Sequence, residues 1–301
     1  MTTKPLHLPT QYVALHVLLF LYMHKSLSRE LFVIVFKAAT VVVTLVVLIV
    51  SVGALYDVES EIGDGACNVA VFPIEGVILP YYGIIEASLI TTPNMVDDFM
   101  SRVEQQSDIK AVLVEINSPG GTPVAAERIA ARIHESTLPS VGLIGDIGAS
   151  GGYLVAAATN YLVASPMSEV GSIGVTMSYV ENSKKNEEEG LTYVKLSTGE
   201  FKDAGSPDKP LTDAERALFE KDLQAIHDEF VNHVATYRNK SYEEISALAN
   251  GATMTGKRAK ESGLIDAVGS RHEAKGALAT LIGVDPSDVV FCEYEPPLIP
   301  F

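Results

Sequence analysis

Cysteine, histidine and basic residues are scarce along this chain, and each scarcity removes a class of chemistry. Two cysteines, Cys67 and Cys292, occur in 301 residues. Two thiols so far apart do not make a metal site or a disulfide framework, and spacing alone leaves open whether they pair with each other. Histidine is absent between His134 and His227. His227 and His233 lie six apart on one predicted helix, which fits neither a metal pair nor a single helix face, so no metal ligand set is expected. Beyond residue 55 there are 18 basic and 37 acidic residues, a formal charge of −19. That balance argues against nucleic acid or anionic headgroups as partners of this part of the chain and favours solubility. No internal repeat or low-complexity segment interrupts it.

Apolar residues, by contrast, are plentiful at 47% of the chain, and their excess is concentrated near the N-terminus. Ala38 to Leu55 is an uncharged run of 18 residues preceded by LFVIVF. At about 1.5 Å per residue it spans roughly 27 Å, and counted from Leu31 it covers a hydrocarbon core of about 30 Å. A buried core helix rarely stays apolar all round for this length, so residues 31–55 are read as a transmembrane helix. Lys4, Lys25, Arg29 and Lys37 precede the run, whereas Asp57, Glu59, Glu61 and Asp64 follow it. Basic flanks stay cytoplasmic, so residues 1–30 are expected inside and everything after the span outside. A shorter apolar run, Tyr12 to Met23, is a rival first span that would return the main domain to the cytoplasm. Residues 56–67 read as a polar linker.

Past the linker, strand and helix patterns alternate. Buried strands are predicted at 69–78, 109–116, 140–145 and 161–165. Helices are predicted at 122–136, at about 152–159, and at 213–238 with Leu218, Leu223, Ile226, Phe230 and Val234 on the apolar side. This alternation predicts an α/β domain with a mostly parallel sheet. The segment after Gly283, with four prolines, reads as an extended tail covering 284–301.

Three segments carry chemistry. GASGGY (148–153) sets Ser150 among small residues at a strand-to-helix bend, where bare backbone admits a substrate and helix-start N–H groups can bind an oxyanion. A tight turn with an incidental serine is the alternative. NSPGG (117–121) is a second glycine-rich strand end, by itself readable as a β-turn. Parallel strands leave their carboxyl ends on one side, so the two could wall a single cleft. A serine nucleophile needs a base, and with no histidine at hand lysine is the remaining option. Lys202 stands in STGEFKDAGSP, on a loop after the expected strand LTYVKLS, where a lysine is normally a solvated charge.

Taken together, NSPGG, GASGGYLVA and STGEFKDAGSP, in this order behind one apolar anchor, resemble the signal peptide peptidase A (protease IV) family. The similarity covers residues 68–283, including VGSIGV (170–175) and MTGKRAKESGLIDAVG (254–269). The resemblance implies a Clp-protease/crotonase-like α/β fold, a serine-lysine dyad and homo-oligomeric assembly into a ring or dome. By motif, Ser150 matches the nucleophile, Lys202 the general base and Ser172 a residue orienting the amine, with the backbone amides of Gly121 and Gly151 as the oxyanion hole. It further implies hydrolysis of peptides, signal-peptide remnants among them, without metal or other cofactor. Asp146 departs from the pattern, where a small or apolar residue is expected, and should point away from the cleft, as Glu200 and Asp203 should point to solvent. Two rivals keep the fold: an acyl-CoA enzyme of the crotonase type and a non-catalytic membrane scaffold.

Overall fold

The computed structural model describes residues 33–48, 67–81 and 90–294. They belong to two units. In the first, residues 33–48 form a helix, α1, with its side chains exposed. No helix among the described residues is long and apolar enough to cross a membrane. The rest of the expected span, and the Tyr12 to Met23 run, lie outside the described residues.

In the second unit, nine strands form one sheet among the described residues: β1 (Val69–Ile78), β2 (Ile90–Thr91), β3 (Ala111–Gly121), β4 (Ser140–Ala149), β5 (Tyr161–Ala164), β6 (Glu169–Gly171), β7 (Thr253–Thr255), β8 (Ala267–Val268) and β9 (Phe291–Glu293). The main order is β2-β1-β3-β4-β5-β8, with β9 beside β1 and β6 beside β4. Every pairing is parallel except β6 with β7. Central strands of a parallel sheet are covered on both faces and so read as continuous apolar runs, which is why β1, β3 and β4 were visible in the sequence. Alternate residues serve alternate faces. Ala70, Phe72, Ile74, Val112, Val114 and Ile116 pack under helices on one side. Val69, Val71, Leu113, Val141 and Val163 pack on the other, against α9 (Arg271–Ile282).

The first face is covered by α2 (Pro93–Gln105), α3 (Pro123–His134), α4 (Gly151–Ala157) and the end of α6 (Asp213–Tyr237). A capping box of Thr212 and Glu215 starts α6, and Glu215 is buried in an ion pair with Lys209. Only its C-terminal part meets the core, through Phe230, Val231, Val234 and Ala235. Ile226, expected on the same apolar side, is 40% exposed. Short helices α5 (Ser183–Glu188), α7 (Tyr242–Ser246) and α8 (Gly256–Glu261) complete the unit.

Two local expectations change. NSPGG is no β-turn: it is extended and prolongs β3, with the register against β4 slipping between Ile116 and Ser118. LTYVKLS is not a strand. Residues 191–197 are exposed and join no ladder among the described residues, although the Leu191 N–H donates to the Asn186 carbonyl at 2.8 Å. In the segment expected as a C-terminal tail, β9 pairs with β1 and a disulfide joins Cys292 to Cys67, Cα atoms 5.5 Å apart.

Helices α2 and α3 are tied by Arg132, whose guanidinium reaches Asp97 at 3.0 Å and Glu104 at 2.7 Å. The Arg132 hydrogen bond, chiefly, holds the Glu104 carboxyl below its ordinary range. A depressed carboxyl contributes stability that is present above the unfolded-state pKa and lost as pH falls through the folded one. Arg132→Ala is therefore expected to cost up to about 1 kcal/mol at neutral pH and nothing in acid below both values. Urea titrations at neutral and acidic pH check this; an equal cost at both would assign the effect to packing.

Candidate active site

Parallel pairing brings the two glycine-rich strand ends together. Ser118 of NSPGG lies opposite Gly148 of GASGGY, and Asn117 Oδ1 accepts a hydrogen bond from the Ile147 N–H at 3.2 Å. The Ser118 hydroxyl donates to the Gly76 carbonyl at 2.6 Å and accepts from the Gly120 N–H at 3.1 Å. Ser118 is fully buried and helps hold this end of β3 beside β1. Its role was not legible, since a serine before a proline looks like any turn serine.

The glycines serve this contact as much as any substrate. A Cβ on Gly120, whose φ is +96°, would sit 2.6 Å from the Gly151 nitrogen, and one on Gly121 would lie 1.9 Å from the Ile78 carbonyl oxygen. Neither space exists for a side chain. Thr122 N–H donates to Ile78 O, so alternation along the extended strand turns the Gly121 N–H the other way. There lies Gly151: the Gly121 nitrogen is 3.4 Å from where a Gly151 Cβ would be. The Gly121 amide thus lies close to Gly151, whose own N–H stands at the start of α4 next to Ser150.

Ser150 itself has φ 51° and ψ −125° at the junction of β4 and α4. A non-glycine residue rarely adopts positive φ, and the cost is of order 1–3 kcal/mol. What holds it is the ladder: the Ser150 N–H donates to the Gly171 carbonyl at 2.8 Å, where β6 runs beside β4. The same pairing brings Ser172 next to the nucleophile candidate. Ser172 also has positive φ, 52°, and its hydroxyl donates to Gly251 O at 3.1 Å. That leaves its oxygen lone pairs able to accept from an amine.

A cavity of about 710 Å³ opens beside Ser150. Gly121, Thr122, Ala126, Gly151 and Leu154 line its inner side, Val175 and Thr176 another, and Ile226 and Phe230 of α6 the wall opposite. Thr122 Oγ1 is buried there without a hydrogen-bond partner. It sits at the N-cap of α3 but makes no capping bond. Asp146 is exposed and lines a separate depression with Arg271 on which Ser150 does not border, in keeping with its expected direction.

Lys202 is not brought to Ser150 within one chain. It is exposed, is not among the residues lining the cavity, and its ammonium has no hydrogen bond or ion pair among the described residues. Its neighbour Asp203 does not face solvent as expected. Lys195 takes its carboxylate at 2.6 Å and the Tyr193 hydroxyl donates to it at 3.1 Å. The Lys195 hydrogen bond, first of these, holds the Asp203 carboxyl below its usual range. The acid nearest Lys202 in sequence is therefore already neutralised by another lysine. Among the described residues no group of three or more His, Cys, Asp and Glu could hold a metal.

The sequence profile of Peptidase family S49 matches residues 132–285, a span that holds Ser150, Ser172 and Lys202. A putative protease of Methanocaldococcus jannaschii is 34% identical over 199 residues, 65% of this chain and 63% of that protein. A putative protease of Synechocystis sp. is 31% identical over 195 residues, 64% of this chain and 70% of the other. A putative signal peptide peptidase of Enterococcus faecium is 31% identical over 182 residues, 60% of this chain and 53% of its own. The chain therefore spans a little under two thirds of the first of these relatives and about half of the last. Matched over more than half its length by this profile, with a serine held at positive φ where two glycine-rich strand ends meet, the chain belongs to peptidase family S49.

Proposed function

We propose that this protein is a membrane-anchored serine endopeptidase that hydrolyses peptides with Ser150 as nucleophile and Lys202 as general base. The observation that carries the reading is the backbone at Ser150. A strained serine, two glycine amides close to it and an adjoining cavity support acyl transfer to a hydroxyl. The mostly parallel sheet is compatible with a Clp-protease/crotonase-like fold. In the proposed reaction the neutral Lys202 amine takes the Ser150 proton as Oγ attacks the peptide carbonyl, and the amides of Gly121 and Gly151 receive the oxyanion. The amine then protonates the leaving nitrogen, and water activated by the same amine releases the acyl group. Ser172 would steady the amine.

A base has to come within hydrogen-bond reach of the nucleophile. In one chain Lys202 stands on a segment of exposed apolar side chains, including Tyr179, Val180, Leu191, Val194 and Leu196. Surfaces of that kind mark interaction sites, so the reading includes a homo-oligomer in which a neighbouring copy covers this segment and closes the site around Lys202. Peptides left in the bilayer, signal-peptide remnants among them, suit an anchor at residues 31–55 and a domain on the outer side of the cell membrane. The disulfide supports that side, since such bonds persist in oxidising compartments. The crotonase-type alternative lacks support: a strained serine beside the oxyanion amides is not needed for thioester chemistry.

The test is a serine-reactive phosphonate applied to the full-length protein in detergent, read by mass spectrometry and light scattering together. Labelling at Ser150 in an oligomer, lost when dilution dissociates it, is the expected result. A strictly monomeric protein with full activity would contradict the assembly, and labelling elsewhere would contradict the nucleophile.

A further inference from the structure

The cavity beside Ser150 is not uniformly apolar. Glu127 of α3 and Glu229 of α6 both line it, together with His233. Glu127 Oε1 lies 3.3 Å from His233 Nε2, and the Glu127 side chain is half exposed. Glu229 is exposed and makes no hydrogen bond or ion pair among the described residues. Glu127 pairs with His233 across α3 and α6, while Glu229 has no such partner among the described residues. Glu127 lies beyond the first turn of α3, and Glu229 sits well inside α6, so neither caps a helix or complements a dipole. Two acids facing one imidazole leave this wall net negative.

Resting on the peptidase reading above, we propose that this wall selects substrates by charge: Glu127 and Glu229 hold a lysine or arginine side chain of the peptide, while Leu154, Phe230 and Val175 take up apolar portions next to it. Ser150 and both acids border the same cavity, so the basic residue belongs to the stretch of peptide next to the scissile bond. Lysine and arginine fit such a wall better than any other side chain, because their hydrocarbon stems cover apolar surface while the charged head reaches a carboxylate. An acidic side chain at the same position meets like charge.

A second observation, independent of the acids, points to a polar partner in this cavity. Thr122 Oγ1, buried and unpartnered, borders it at the Ser150 end. An unsatisfied buried hydroxyl is costly, and the backbone of a peptide running from Ser150 toward Glu127 passes it and supplies a partner. Taken together, the wall predicts an apolar peptide with one basic residue, rather than a uniformly apolar one. Secretory signal peptides combine a basic segment with an apolar one and meet that description.

The experiment uses full-length Ser150→Ala protein in detergent and fluorescent apolar peptides in threes that differ only in carrying Lys, Gln or Glu at one position, that position being stepped along the peptide from one set to the next. Anisotropy is expected to rank them Lys, Gln, Glu, with Lys about threefold tighter than Gln at low salt and the gap narrowing at high salt, as for a partly exposed ion pair. In a Glu127→Gln/Glu229→Gln background the Lys-to-Gln ratio should approach one. Equal binding of the Lys and Gln peptides, a ratio unmoved by both salt and the double substitution, or no peptide binding at all would overturn the proposal. The two readings fail separately. Ranked binding without hydrolysis by the wild-type enzyme would sink the peptidase reading and keep the subsite, whereas hydrolysis without ranking would sink the subsite alone.

Discussion

Ser150→Gly is expected to abolish peptide hydrolysis and yet to yield a more stable protein than Ser150→Ala. Both substitutions remove the hydroxyl, and loss of a nucleophile in a hydrolase of this type costs about a thousandfold or more in kcat/KM. They differ in the backbone. Alanine keeps the Cβ that makes φ 51° unfavourable, so the strain of order 1–3 kcal/mol remains. Glycine adopts positive φ freely and releases it, minus about 0.4–1 kcal/mol for the greater entropy of its unfolded chain. A net advantage of about 1 kcal/mol over alanine follows. Urea denaturation of the three proteins, beside peptide hydrolysis, measures both arms. Asn239, at φ 51° just past the end of α6, is the control, because asparagine tolerates this conformation and Asn239→Gly should change little. Lys202→Ala should match the activity loss with no gain in stability, since its side chain is exposed. Full activity in Ser150→Ala would remove the nucleophile assignment, and a glycine variant less stable than the alanine one would remove the strain.

Much of the fold was legible because a parallel sheet covered on both faces announces itself as apolar runs. VAVFPIEGVI is β1 residue for residue, and helix α6 departs from its expected bounds only at the last residue. What misled was local chemistry overridden by long-range pairing. NSPGG has the composition of a turn, but Ser118 and its bonds to Gly76 and Gly120 hold it extended beside β1 and β4, and no local signal encodes a partner 42 residues away. Of the residues expected on the apolar side of α6, Phe230 and Val234 are buried, whereas Ile226 stands before the part of the helix that meets the core and borders the cavity. Ser150 could be found from its small neighbours because the bend needs them. Thr122, Glu127 and His233 could not, since what matters about each is a position across two helices far apart in sequence. Lys202 is legible only through a motif, and in one chain it stands on an exposed segment outside the cavity lining.

Removing the Cys67–Cys292 bond by a double alanine substitution is expected to lower stability by about 2–5 kcal/mol, shifting the urea midpoint without changing the architecture. The bond joins residues 225 apart, Cys67 just ahead of β1 and Cys292 within β9, so it closes nearly the whole domain into a loop. Loop-closure entropy lost by the unfolded chain grows only slowly with length, which keeps the expectation near the top of the usual range. Noncovalent support for β9 includes three residue pairs with β1, hydrogen bonds between Asn68 and residues 288–290, the Tyr294 ring against Phe72 and Phe99, Arg271 over the Phe291 ring, and Arg271 bound to Glu293 at 2.6 Å. Both sulfurs are buried, so the bond should resist reductant in the folded protein and yield once urea opens it. The same cysteines report on location. Alkylating intact cells before and after reduction should find them bonded if the domain lies on the outer side of the membrane, because the cytosol keeps thiols reduced. Free thiols in cells, with the bond forming only after lysis, would return the domain to the cytoplasm and favour Tyr12 to Met23 as a second membrane segment. A double alanine variant as stable as the parent would show that pairing with β1 alone holds β9 in place.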